Sequence, residues 1–194
     1  NIDVNGDSVW YTRNGDIVTM HVTAKIFNNS SDNINMARAA KDIVSDIKST
    51  YEGKFEWSDN KTYNLKVDMD LKVATSMKDV ENSDHLFVLA DSDSKGARGA
   101  TSMLGGKVMT LASSDFANNN WLSNNLSYNK TFTAAHEFGH AIGLSHSQNP
   151  FNIMKQGGVV HNSNSNQRVI MLQQQNNLNN NLVVDIYNLG LKWR

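Results

Sequence analysis

Between His136 and His146 the chain reads His-Glu-Phe-Gly-His-Ala-Ile-Gly-Leu-Ser-His, and no other stretch restricts the possible folds so tightly. Histidines at i and i+4 share one face of an α-helix, about 6 Å apart along its axis. His136 and His140 can therefore aim ring nitrogens at one metal ion, at about 2.0–2.1 Å. Glu137 is rotated by about 100° from His136, beside the metal's open position, where a carboxylate serves as a base rather than a ligand. His146 cannot join from the same helix, because continued helically it would lie about 240° around from His140. The chain must stop and turn, and Gly143 takes a left-handed conformation cheaply, ending the helix and returning His146 to the metal. Three histidines with a fourth position left for water form a catalytic zinc site rather than a structural one.

Eight residues past His146 comes Met154, within Ser147-Gln148-Asn149-Pro150-Phe151-Asn152-Ile153-Met154. The extended histidine motif followed by this methionine resembles the metzincin clan of zinc metallopeptidases. The closest resemblance is to its matrixin branch, carried by Ser147, Pro150 (the chain's only proline), Ile153 and Met154 at the expected offsets. The resemblance implies that Met154 sits in a tight turn and forms an apolar floor under the three histidines. It also implies that Lys155, Gln156 and Gly157 wall the pocket just past the scissile bond. The match is specific over 136–154. No aspartate- and glycine-rich stretch matches the structural metal loop of animal matrixins, no cysteine is present for a thiol latency switch, and the tyrosine some metzincins place after the methionine is replaced by Gln156. The expectation is a minimal, microbial member.

At 194 residues the chain is long enough for one sizeable core. We expect a single catalytic domain over 1–194. Residues 1–143 would carry the sheet and the active-site helix, and 144–194 the third ligand, the methionine turn and a closing helix. The formal charge of −1 gives no basic footprint for nucleic acid, and no apolar run approaches the ~20 residues of a membrane span. A start at Asn1 without a signal-like segment reads as a processed, secreted fragment of a longer precursor, expected to be a monomer.

Residues 8–27 alternate apolar and polar around Asn14-Gly15, a hairpin signal. Met36, Ala40, Ile43, Val44 and Ile47 recur at helical spacing, with capping candidates Ser31 to Asn33 before them. Tyr63 to Val73 alternate strictly, and 85–90 reads as a strand buried on both faces. Two short segments near 98–103 and 107–112 flank Gly105-Gly106. The zinc helix is expected from Asn129 or Lys130 to Gly143. A closing helix over 165–178 is expected to turn Val169 and Leu172 inward. This order agrees with the metzincin architecture: an α+β fold whose twisted, mixed but mostly parallel sheet is backed by an N-terminal helix and the zinc-binding helix, with a C-terminal helix after the methionine turn. Residues 182–194 receive no assignment.

The chemistry implied is peptide hydrolysis with one catalytic Zn2+ and Glu137 as proton acceptor and then donor. An extended substrate needs an exposed strand edge, and Gly99, Ala100, Thr101, Ser102 and Met103 are the candidates. The run Asp91-Ser92-Asp93-Ser94-Lys95-Gly96 resembles the start of a calcium loop, but Lys95 intrudes on a ligand position and Ser102 stands where an EF-hand needs glutamate. Calcium elsewhere in this loop stays open, while Asp3, Asn5 and Asp7 read as a solvated turn. His21, His85 and His161 read as structural. Two alternatives remain: a protease toxin domain with one specific target, and a catalytically silent zinc-binding module.

Overall fold

The computed structural model describes residues 9–91, 99–101, 104–117, 127–156 and 163–174. Within them a mixed, mostly parallel sheet carries strands β1 (Val9–Asn14), β2 (Ile17–Asn29), β3 (Gly53–Glu56), β4 (Thr62–Ala74), β5 (His85–Ala90), β6 (Gly99–Thr101) and β7 (Val108–Ala112). The strands run in the order β3-β4-β2-β5-β7-β6. β4, β2, β5 and β7 are parallel, while β3 and β6 pair antiparallel at the two ends of that order. β1 and β5 follow one another along the same side of β2: β1 pairs with it from Ile17 to Val22, and β5 from Ala24 to Asn29. With helices α1 (Met36–Tyr51), α2 (Ser127–Ala141) and α3 (Ser165–Gln174), this is an α+β fold.

Period-two patterning builds the buried face. Val18, Met20 and Val22 pair in register with Leu65, Val67 and Met69, so all six project from one face of the sheet into the core. Along β4 the alternation weakens after Met69: Leu71 is half-buried and Val73 is exposed. β5 is buried on both faces, as its apolar run predicts. Phe87 and Leu89 enter the main core, whereas Leu86, Val88 and Val108 form a smaller cluster with Phe27, Met77 and Val80.

Several local expectations shift. Asn14 pairs with Ile17, so the hairpin turn is Gly15-Asp16, with Gly15 at φ 61°, one residue later than the Asn-Gly signal implied. The cap of α1 is Asn35, not Ser31 to Asn33; its side chain accepts from the Arg38 backbone N–H at 3.0 Å. β3 had no expectation at all. The active-site helix begins at Ser127, earlier than 129–130. In α3 the buried residues are Gln167, Arg168 and Met171, while Val169 and Leu172 are only partly covered. Residues 175–178 of the expected closing helix lie outside the described residues, as does 182–194. No helix among the described residues is long and apolar enough to cross a membrane.

Candidate active site

Helix α2 carries Phe132, Ala134, Ala135, Phe138 and Ala141 into the core, and this burial fixes its rotation. Its end is a Schellman turn: the Leu144 N–H donates to Gly139 O at 2.8 Å and the Gly143 N–H to His140 O at 3.0 Å. Gly143 has φ 94°, the left-handed region the motif requires. The reversal swings His146 back to the helix. The ring nitrogens of His136, His140 and His146 offer ligand atoms within 4.8 Å of one another, and among the described residues these form the one group of three able to hold a metal ion. The Nε2 atoms of His140 and His146 are 3.1 Å apart.

The donor set fits zinc in a further respect. His136 Nδ1 lies 2.7 Å from Ile153 O, and His140 Nδ1 lies 2.7 Å from Leu144 O. A carbonyl can only accept, so each ring donates from Nδ1 and keeps its Nε2 lone pair for a metal. Burial lowers the His140 pKa to about 4, reinforced by the charges of His136 and His146 and opposed by the bond to Leu144. His140 is therefore neutral at physiological pH, the form that ligates. Exposure rises across the cluster, from buried His136 through half-buried His140 to exposed His146.

Glu137 is buried on the same helix. Burial raises its pKa above the ordinary carboxylate value, against the opposing effects of a Thr101 hydrogen bond and the His136 charge. The Thr101 hydroxyl lies 2.6 Å from Glu137 Oε2 and 3.0 Å from Glu137 O. The predicted edge segment thus has a second feature: β6 lies at the end of the strand order, and its Thr101 side chain is committed to Glu137. A β-carbon at Gly99 would collide with Thr133 and crowd the Glu137 side chain, so glycine lets the strand approach the helix this closely. Ala100 is exposed on β6. Ser102 and Gly157 lie outside the described residues. Lys155 is half-buried and closes the turn through its N–H to Asn152 O at 3.0 Å, and Gln156 is exposed.

Met154 is completely buried. A β-carbon at Gly139 would collide with both Met154 Sδ and Tyr51 Oη, so this glycine between the two helical histidines lets the methionine and tyrosine reach the helix backbone. Tyr51, the last residue of α1, donates its hydroxyl to Ala135 O at 2.7 Å. Neither Gly139 nor Tyr51 stood out in the sequence. The glycine occupies a variable motif position, and the tyrosine lies 84 residues from its partner.

Of the other candidates, His21 is spent on Asp68 Oδ2 and Thr12, and His85 is buried against Phe138. Asp91 Oδ1 accepts from the Ser31 N–H and hydroxyl. The rest of the possible calcium loop, His161 and Asp3, Asn5 and Asp7 lie outside the described residues.

A sequence profile described as matrixin matches residues 10–176, most of the chain and all of this site. The chain belongs to the matrixin family. The histidine triad agrees with membership of this metallopeptidase family. A search of curated protein sequences finds no match. Among solved structures, metalloproteinase-II from Bacteroides fragilis is similar with a TM-score of 0.44 and 14% identity, over 78% of this chain and 52% of that one. This matrixin chain thus spans about half of that protein's length. Archaemetzincins from Methanopyrus kandleri and Archaeoglobus fulgidus are similar with TM-scores of 0.46 and 0.42, both at 12% identity. They cover 88% and 75% of this chain, and 97% and 99% of their own.

Proposed function

We propose that this matrixin is a zinc-dependent endopeptidase that cleaves peptide bonds within protein substrates, with Glu137 as the residue that moves the proton. The observation that carries the reading is the convergence of His136, His140 and His146 with their Nδ1 atoms already engaged, beside a buried carboxylate. Zinc bound there supplies Lewis acidity, polarising a scissile carbonyl and lowering the pKa of water toward about 7. Glu137 provides the exchangeable proton site. Its raised proton affinity suits it to take a proton during attack and return it to the departing amine. Thr101 holds the carboxylate by Oε2, which limits its rotamers without removing its basicity.

Substrate alignment follows from the sheet. β6 pairs with β7 through Gly99–Leu111, Ala100–Thr110 and Thr101–Met109, and it ends the strand order beside Glu137. An extended peptide added there as a further strand would bring a backbone carbonyl toward the histidines. Lys155 and Gln156, directly after the methionine turn, are assigned to the wall past the scissile bond.

Cleavage-site profiling on a proteome-derived peptide library tests the reading. Internal cuts that vanish with chelator and return with zinc are expected. Trimming confined to chain ends, or cleavage indifferent to chelator, would refute it.

A further inference from the structure

The methionine turn is held by a residue from the closing helix. Asn152 and Gln167 are both buried, and their side-chain amides pair reciprocally: Asn152 Nδ2 donates to Gln167 Oε1, and Gln167 Nε2 to Asn152 Oδ1, each at 2.8 Å. The remaining acceptor capacity is also used. Asn152 Oδ1 accepts the Met154 N–H at 2.9 Å, an Asx turn that fixes the backbone on either side of Ile153. Gln167 Oε1 accepts the Asn164 N–H at 3.0 Å, while the Gln167 N–H donates to Asn164 Oδ1 at 3.0 Å, a reciprocal cap on α3. The same turn presents Ile153 O to His136 Nδ1 at 2.7 Å.

One path leads from α3 to a metal ligand: Gln167 to the Asn152 amide, Asn152 Oδ1 to the Met154 N–H, and, across the peptide unit that N–H shares with Ile153 O, from that carbonyl to His136. Buried amides cannot exchange a lost partner for water, so the arrangement is restrictive. We propose that Asn152 and Gln167 are positioning residues for the metal centre, setting the orientation and Nδ1 protonation of His136. The inference rests on the zinc reading above, but its geometry exists without metal. Groups that orient a ligating histidine commonly change metal affinity by about 10–100-fold when removed.

The test compares three variants of the full chain. Gln167→Met removes both amide bonds, and Gln167→Glu keeps an acceptor for the Asn164 N–H but cannot donate to Asn152. Asn164→Ala strips the α3 cap without touching the turn. Zinc affinity is measured by competition with a chromophoric chelator. The His136 Nδ1 proton is followed by NMR in the metal-free protein, where its bond to Ile153 should make it slow to exchange.

Both Gln167 variants should bind zinc about 10-fold more weakly and exchange that proton rapidly. Asn164→Ala should melt earlier yet match the parent in both readouts. If Gln167→Met does not fold, Gln167→Glu carries the comparison. Parent-like affinity and proton exchange in the Gln167 variants, or equal losses in Asn164→Ala, would overturn the proposal. A parent chain that binds no zinc would refute the metal reading instead, and the NMR arm would then decide whether the pair positions His136.

Discussion

Helices α1 and α3 both reach the methionine turn, one through Tyr51 and the other through Gln167, yet opposite kinds of chemistry hold them. α1 buries Ala39, Ala40, Ile43 and Ile47 against the sheet and packs on the active-site helix, where the Tyr51 ring meets Phe138 edge-on and its buried hydroxyl reaches Ala135 O. α3 buries an amide and a guanidinium. Arg168 Nε donates to Tyr51 O at 2.9 Å, Nη2 to Glu52 O at 3.1 Å and to Ser163 Oγ at 3.0 Å, and Nη1 to Lys54 O at 3.2 Å. The Ser163 hydroxyl donates to Thr50 O at 2.6 Å. Carbonyls that the end of α1 leaves without helical partners are thus satisfied from the segment that opens α3. Apolar contact tolerates small displacements, whereas these hydrogen bonds do not. Of the two, α3 is the helix fixed by direction rather than by area.

The largest effect should come from the apolar side. Ile47→Ala should lower global stability by about 2–5 kcal/mol in chemical denaturation, the cost of a cavity in a close-packed core. A loss under about 1 kcal/mol would show that α1 is not anchored by packing. Arg168→Met should cost about 2–3 kcal/mol by orphaning buried carbonyls. Hydrogen exchange should locate that loss first at residues 50–54 rather than throughout the sheet, and uniform exchange would erase the contrast between the two helices.

One polar residue intrudes on the apolar side. His85 is buried beside Phe138, and among the described residues its ring nitrogens find no hydrogen-bond partner; burial, with help from the Lys107 charge, lowers its pKa to about 3. The folded value lies below the unfolded 6.5, so the unfolded chain binds the proton first. Stability is full above about pH 6.5 and falls as pH drops toward 3, by about 2 kcal/mol between pH 8 and pH 5. His85→Phe should flatten that stretch of the profile, and an unchanged slope would assign acid sensitivity elsewhere. The smallest effect expected is from Tyr51→Phe, about 1 kcal/mol from one lost hydrogen bond to Ala135 O. A cost above about 3 kcal/mol would mean that the hydroxyl, and not packing, docks α1 on the active-site helix.

The same contrast decides what could be read in the sequence. The core positions of α1, the alternation in β2 and β4 and the uniformly apolar β5 follow from periodicity, because burial there selects by hydrophobicity. The grouping of His136, His140 and His146 follows from spacing and one glycine. Gln167, Arg168 and Asn152 carry no such signature: polar residues in an asparagine-rich chain read as solvent-facing, and only their distant partners make them interior. β3 was missed because Gly53-Lys54-Phe55-Glu56 buries one side chain and has no period to detect. Asn35 does not stand out locally because Ser31, Asp32 and Asn33, two to four residues before it, are equally good caps. Tertiary hydrogen bonding, unlike burial, leaves almost no local pattern.

The central claim is tested most directly by loading the parent chain and Glu137→Ala with zinc and measuring metal content and cleavage of an unfolded protein together. The account predicts one zinc per chain in both, with cleavage in the parent and a loss of at least about 100-fold in the variant. A zinc-loaded parent that cuts nothing, or a variant that retains its turnover, would contradict it.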